Sequence, residues 1–353
     1  MRVVCAMSGG VDSSVAAALL QEAGHEVVGV TLHLYDSGPG RRVGRCCAAA
    51  DQEDARAVAA HLGIPHYTLD YRARFEQAVV QDFVDTYAAG ETPTPCTHCN
   101  TAVKFGPLLE TARGLGAQAL ATGHYVRVQD AGEGRLSLLR GRDSSKDQSY
   151  FLFTLSQGAL ASLLFPLGDL TKAEVRAHAR RRGLPTADKP ESMEVCFVEG
   201  GTVGDFVAAR LPAPPSPGLV VDAGGRRLGS HDGVHRFTIG QRRGLPILGD
   251  GKPRYVVALD AQRATVVVGG ADALLEDELA ARDVCWSSGR APSGPVSAAA
   301  QIRHRGAAEP ATVTPVASGR ATVRFARPVR AVAPGQAVVF YAGDEVLGGG
   351  WIA

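Results

Sequence analysis

Three groups of residues have the types and spacing to do chemistry. The first is Ser8-Gly9-Gly10-Val11-Asp12-Ser13-Ser14, set between a short β-branched run and a helical pattern. Two glycines let the backbone come close to an anion. The backbone N–H groups and the hydroxyls of Ser8, Ser13 and Ser14 can donate to phosphate oxygens, and the helix N-terminus adds roughly half a positive charge. The loop lacks the lysine of the GxxxxGK[ST] type. A bare serine cap would need neither the second glycine nor Asp12, so the segment reads as a phosphate loop.

The second group is Cys96-Thr-His-Cys99-Asn100, preceded by Thr92-Pro-Thr94-Pro95 and followed by a helical pattern over 101–114. A cysteine at a helix start gains thiolate character. A structural zinc would need a second Cys or His pair, and no second C-x2-C exists. A thioredoxin-like redox pair would follow the first strand of a different βαβ arrangement. The third group is Cys196 in Val195-Cys-Phe-Val198, 97 residues beyond Cys99. Taken alone, Cys196 reads as a small buried hydrophobe.

These groups must be positioned by a scaffold. Residues 1 to about 200 alternate apolar runs (3–6, 26–34, 66–69, 119–128) with helical patterns (13–23, 51–62, 172–182), which argues an α/β fold with a doubly wound, Rossmann-like parallel sheet. Pro212-Ala-Pro-Pro-Ser-Pro-Gly218 then marks a hinge. After it, short strands at 219–222, 254–260 and 265–268 form a small central β-containing part. From Pro295 on, strands at 296–303, 311–316, 321–325 and 336–341 recur roughly every eight to twelve positions, as in an antiparallel β-barrel or sandwich. The expected division is 1–203, 204–275 and 276–353, the last closing as a barrel.

The length of 353 residues fits two or three domains, and 45% hydrophobic with 21% charged residues fits chains that bury a core. A net charge of +1 excludes a wholesale basic nucleic-acid coat but hides an asymmetry. Residues 1–100 carry 7 Arg against 12 Asp and Glu, whereas residues 281–330 carry 8 Arg against Asp283 and Glu309. The basic segment is either a solvated strand face or a phosphate-contacting one. Arg176 with Arg180–Arg182 reads as a solvated helix face. Seven cysteines are too few for a disulfide scaffold, no apolar stretch reaches about 18 residues, and no leader precedes the loop. The expectation is a cytoplasmic protein with reduced thiols.

The SGGxDS loop resembles that of the N-type ATP pyrophosphatases, which split ATP between its α- and β-phosphates and adenylate a substrate oxygen. Further motifs follow in order: TPTPCxxCNxxVKF from Thr92, Ala121-Thr-Gly-His-Tyr125, Lys146-Asp-Gln-Ser-Tyr-Phe-Leu152, Val195–Val198, Thr238-Ile-Gly-Gln-Arg-Arg-Gly-Leu245 and Leu347-Gly-Gly-Gly350. Together these resemble the tRNA-specific 2-thiouridylases from Ser8 to Gly350. That family uses ATP to replace the C2 oxygen of the wobble uridine (position 34) of tRNA with persulfide sulfur, giving 2-thiouridine, AMP and pyrophosphate.

The resemblance implies roles by position. Cys196 would carry the persulfide, and Cys99 would be the nucleophile that closes a disulfide with it. ATP would lie against Ala6, Met7, Ser8, Gly9, Gly10, Val11, Asp12 and Ser13, with Leu32 and Gly123, and Asp12 would help hold Mg²⁺. tRNA would meet Thr94, Pro95 and Cys96 at the target base, Lys146, Asp147 and Gln148 beside it, and Arg303 and His304 in the C-terminal barrel. A cysteine desulfurase or sulfur-carrier protein would supply the sulfur, and no membrane is involved.

Some members carry Asp where Cys96 stands and Asn where Thr94 stands, so the role of Cys96 stays open. Glu191 replaces a more usual Asp. His124 reads either as a general base or as a structural residue beside the nucleotide. An amide- or C–N-forming ligase would share the loop but leaves Cys99 and Cys196 unexplained. A non-catalytic RNA binder built on residues 210–353 leaves the loop unexplained. A 4-thiouridine-type enzyme would carry RNA-binding domains before the loop, which here starts at residue 8.

Overall fold

The computed structural model describes residues 1–36, 49–190, 195–198, 201–247 and 252–353. Cys46, Cys47, Glu191 and the whole of 37–48 lie outside the described residues.

The first layer is a parallel sheet of β1 (Arg2–Ala6), β2 (Glu26–His33), β3 (His66–Asp70), β4 (Ala119–Ala121) and, beyond a hairpin described below, Leu163–Leu164 at its edge. The order runs β3-β2-β1-β4 and then Leu163–Leu164. The chain builds outward from β1, returns, and continues from β4, so the order reverses between β1 and β4. The carboxyl ends of those two strands open a crevice, where ligands bind in such sheets. The phosphate loop follows β1 and the 122–125 turn follows β4. Val3, Val4 and Leu120 are fully buried because both faces of this sheet are covered. One face is covered by α1 (Val11–Glu22) and α2 (Ala49–Leu62), whose small residues Ala16, Ala17, Ala55 and Ala59 allow close approach to the sheet.

The apolar run 119–128 is not one strand. It breaks at Thr122–Tyr125, and its second half is β5 (Val126–Asp130), which pairs antiparallel with β6 (Leu136–Arg140). The break falls where Thr122-Gly123-His124 interrupts the apolar residues, and the two halves join different sheets. With Leu163–Leu164 as β7, the central part has β8 (Gly218–Asp222), β9 (Arg227–His231), β10 (Tyr255–Asp260) and β11 (Thr265–Gly269) in the order β10-β11-β8-β9. They close over a small core of Val220, Val256, Val266 and Val268.

The C-terminal strands are β12 (Leu275–Trp286), β13 (Val296–Gln301), β14 (Glu309–Val316), β15 (Arg320–Arg330), β16 (Ala337–Ala342) and β17 (Glu345–Ile352). They pair in the order β12-β15-β14-β13-β16-β17, and β17 returns to β12, closing an antiparallel barrel. The β5–β6 hairpin of the first layer joins this sheet at β17 through Glu345 and Leu139. Arg127 pairs with Asp344, Arg135 with Glu345, and Arg282 with Glu91, so the barrel sits firmly on the first layer. Among the described residues no helix is long and apolar enough to cross a membrane.

Candidate active site at the loop, the paired cysteines and the barrel

Helix α1 begins at Val11 with Gly10 as its cap, two residues earlier than the hydrophobic pattern indicates. Gly9 has φ +73°, and a Cβ there would lie 2.0 Å from the Asp51 carbonyl oxygen. Only glycine fits this turn. The Ser13 hydroxyl lies 3.1 Å from the Ser8 amide, which donates to it, and 3.3 Å from the Ser8 hydroxyl, bracing the loop across its mouth. Ser14, read with Ser8 and Ser13 as a phosphate donor, is fully buried. Its hydroxyl donates to the Gly10 carbonyl (2.8 Å) and accepts from Thr186 (2.9 Å), so it holds the helix start.

Two lysines that carried no role in the sequence reading converge here. Lys172 Nζ lies 2.7 and 2.8 Å from the two Asp12 carboxylate oxygens, and Tyr125 donates to Asp12 Oδ1 at 2.7 Å. Lys189 Nζ donates to the Gly9 carbonyl (2.9 Å), Asp51 Oδ1 (2.5 Å) and Asp54 Oδ2 (2.5 Å). Burial opposes the charge of Lys189, but its bonds to Asp51 and Asp54 outweigh this and raise its pKa. Lys172 opens a helix (Lys172–Arg181) capped reciprocally by Thr171 and Glu174. The helix was expected from the sequence; the reach of Lys172 back to Asp12 was not, because it spans the fold. In the same helix, Arg180 pairs with Asp188, and Arg176 donates to the Ala187 and Lys189 carbonyls.

Gly123 stands behind the loop. A Cβ there would meet Asp12 C and Ser13 N at 2.8 Å. The Met7 amide donates a hydrogen bond to the Val30 carbonyl (2.8 Å), and the Met7 carbonyl accepts from the Thr31 hydroxyl (2.7 Å). Leu32, nearly buried on β2, faces the larger core, while Ala6 ends β1 half-buried. His124 stacks near Phe105 and Phe165, and its Nδ1 lies 2.8 Å from the Thr122 hydroxyl. Burial, aided by Lys104, depresses its pKa to about 3. Such a ring is a poor base near neutrality, which favours the structural reading of His124.

A cavity of about 730 Å³ joins the loop to the barrel. Ser8, Gly10, Val11 and Asp12 line one side, with Lys172 and Lys189. Lys146, Asp147 and Gln148 line the floor, and His304 to Ala308 of the barrel line the far wall. Of the three segments expected to meet RNA, 146–148 borders the same space as the phosphate loop and 303–304 reaches it through His304, whereas Thr94–Cys96 does not line it. Asp147 turns inward: its carboxylate accepts from Arg140, Ser149 and the Gly141 amide. Gln148 Oε1 accepts from the Tyr125 amide (3.0 Å). Arg303 and His304 are exposed, and the His304 ring lies 4.4 Å from that of Phe151.

The paired-cysteine segment differs from the expected helix over 101–114. A short helix, Pro95–His98, leads into a π-helical stretch, Cys99–Phe105, before an α-helix, Pro107–Gly114. Gly106 and Pro107 end the π-helical stretch, and Pro107, which has no N–H to donate, opens the helix that follows. Cys96 is at the helix start and exposed, whereas Cys99 lies a turn inside and is 7% exposed. π-turns are rare and concentrate at functional sites. Thr97 Oγ1 and Asn100 Oδ1 beside it are buried without a hydrogen-bond partner among the described residues. Thr94 is buried, and its hydroxyl accepts from the Ala337 amide of β16 (3.1 Å), while the Thr92 amide donates to the Pro334 carbonyl (2.8 Å). Pro95 fixes the first helical position.

Cys196 is half-buried, and its carbonyl accepts from the Tyr35 hydroxyl at 2.6 Å. Phe197 sits among Phe75, Phe83 and Phe206 at ring separations of 5.1–5.5 Å. This aromatic bed puts Cys196 against the same hydrophobic cluster that contains Cys99. Cys5 is fully buried, with its thiol pKa pushed up to about 12, and burial with Asp283 also raises that of Cys285. Neither has thiolate character near neutrality.

The described residues contain no group of three His, Cys, Asp or Glu side chains fit to hold a metal. Mg²⁺ at the loop would instead need one carboxylate, Asp12, with phosphate oxygens and water completing its shell, which suits its chemistry.

Residues 1–200 match a family model described as the tRNA methyl transferase HUP domain. Residues 204–270 match the tRNA methyl transferase PRC-barrel domain, and 276–352 the aminomethyltransferase beta-barrel domain. Two curated relatives named tRNA-specific 2-thiouridylase MnmA are 51% identical to this chain. One, from Geobacter metallireducens, covers 99% of it and 96% of its own length; the other, from Rhodospirillum centenum, covers 99% and 91%. A relative of the same name from Chloroflexus aurantiacus is 48% identical over 99% and 98%. A solved 4-thiouridine synthetase–RNA complex with bound ATP is 17% identical over 53% of this chain and 44% of its own, with a TM-score of 0.36, too distant to carry an argument.

Proposed function

Since the chain belongs to the tRNA-specific 2-thiouridylase MnmA family, we propose that it is an ATP-dependent tRNA-uridine 2-sulfurtransferase acting on the wobble uridine at position 34. The observation that carries this reading is the single cavity bordered by the phosphate loop, the 146–148 segment and the barrel's 304–308 turn. In this reading the three parts divide at 203/204 and 275/276.

ATP would supply the adenylyl group that turns the C2 oxygen of uridine into a leaving group. The amides of Ser8 to Ser13 would hold its phosphates, Lys172 and Lys189 would balance their charge, and Asp12 would hold Mg²⁺. Gly123 would let the nucleotide approach the backbone. Arg303 and His304 would grip tRNA at the barrel, Lys146, Asp147 and Gln148 beside the cavity, and Thr94, Pro95 and Cys96 at the base. Loop bases suit this chemistry because they splay into a pocket.

Sulfur would arrive on Cys196 as a persulfide, from a cysteine desulfurase or a carrier protein. Its terminal sulfur attacks C2 and the adenylated oxygen leaves as AMP. The Cys99 thiolate then attacks the Cys196 sulfur, freeing the thiocarbonyl and closing a Cys99–Cys196 disulfide that a thiol reductant reopens. The test is nucleoside mass spectrometry on unmodified tRNA incubated with protein, ATP, Mg²⁺ and a cysteine desulfurase with cysteine as the persulfide source. A uridine that exchanges oxygen for sulfur supports the reading; unchanged uridine with AMP released onto another acceptor would replace it with a ligase.

A further inference from the structure

Two segments that share no sequence neighbourhood, 146–148 and 303–304, are tied together by one hydrogen-bond chain. Arg140 ends β6. Its Nη1 donates to Asp147 Oδ2 at 2.8 Å, its Nη2 donates to Gln301 Oε1 at 3.0 Å, and its guanidinium carbon lies 3.5 Å from the centre of the Tyr341 ring. Gln301 ends β13 and is 4% exposed. Its Nε2 donates onward to the carbonyls of Arg303 (3.1 Å) and His304 (2.8 Å).

We propose that Arg140 and Gln301 are positioning residues that hold the 146–148 and 303–304 segments as one RNA-facing surface. The proposal rests on the reading of those segments as tRNA contacts. The chemistry is specific. Asp147 is nearly buried, so its charge is tolerable only with the Arg140 fork and the Gly141 and Ser149 donors around it. The Gln301 amide uses both ends: an acceptor toward the guanidinium and a donor toward two carbonyls. A carboxylate at 301 would keep the first interaction and turn the second into repulsion. The turn it releases is tight, with the Gly306 amide donating to the Arg303 carbonyl at 2.9 Å, and it carries Arg303 and His304 on its exposed side.

The test is a binding cycle on the full chain with unmodified tRNA as probe. Gln301→Glu should weaken binding about tenfold in the parent protein and less than about twofold when Arg303→Ala and His304→Ala are already present, because Gln301 acts through those residues. Equal losses in both backgrounds would overturn the proposal, since a general structural defect adds independently. If Gln301→Glu does not fold, Gln301→Met, which leaves Arg140 paired with Asp147, runs the same cycle with the same two outcomes. A parent protein that binds no tRNA overturns both this proposal and the functional reading; tRNA binding with additive losses overturns the proposal alone.

Discussion

Lys172 Nζ and the Asp12 carboxylate meet at 2.7 and 2.8 Å across 160 residues of chain, at the mouth of the phosphate loop. The ammonium is 12% exposed, so water does little to screen it. Removing the cation would leave the Asp12 carboxylate with the Tyr125 hydroxyl but no positive side chain beside it, facing a polyphosphate. Lys172→Met should therefore lower AMP formation by about 100-fold, of the order seen when one preorganised charge partner is lost. Asp12→Ala should suppress it as well. Undiminished AMP release from either variant would break the assignment of the loop.

The Cys196 backbone is anchored by Tyr35 and by the ring of Phe197, so a change of its sulfur should leave the fold intact. Cys196→Ser should abolish thiolation while ATP and tRNA still bind. Retained thiolation would remove the persulfide role.

Arg303 projects from the barrel turn into solvent. Arg303→Ala should weaken tRNA binding and reduce the slope of log affinity against log salt by about one. An unchanged slope, measured by filter binding over a salt series, would place the phosphate contact elsewhere.

Gly123 has no room for a side chain, because the atoms a Cβ would meet belong to the backbone of α1. Gly123→Ala should cost about 1–3 kcal/mol of stability and push the helix start out of place. ATP affinity should fall with it, as calorimetry would read; wild-type affinity would free Gly123 of its nucleotide role.

The native His124 ring stays neutral down to about pH 3, whereas an unfolded histidine protonates near about 6.5. The unfolded chain binds more protons between those values, so stability falls as pH falls through that window. His66, His231 and His235 are shifted downward by burial and add to the trend. Urea unfolding near neutral and mildly acidic pH should show His124→Gln removing about one proton of the slope. An unaltered slope would contradict the buried, neutral ring.

The parallel sheet, the loop and the closed barrel were legible because their signals are local. The Ser8–Ser14 heptapeptide carries its own geometry, and the alternation in β14 and β15 carries their inward face. Three features were not legible for the same physical reason. Lys172 and Lys189 reach the loop only through the fold, the π-helical stretch from Cys99 depends on how the segment packs although Gly106 and Pro107 mark its end, and Thr122-Gly123-His124 breaks the run 119–128 without showing that its halves join different sheets. Ser14 illustrates the reverse case: its place in the motif suggests a phosphate donor, yet packing against Thr186 spends its hydroxyl on the helix.

The central claim is that sulfur reaches uridine from Cys196. Protein loaded on Cys196 with ³⁴S-persulfide should be mixed with unmodified tRNA, ATP and Mg²⁺, with no other sulfur present, and the nucleosides and the peptides weighed. The account predicts one ³⁴S atom in 2-thiouridine at position 34 and a new Cys99–Cys196 disulfide. Label that stays on the protein while uridine is unchanged would contradict it.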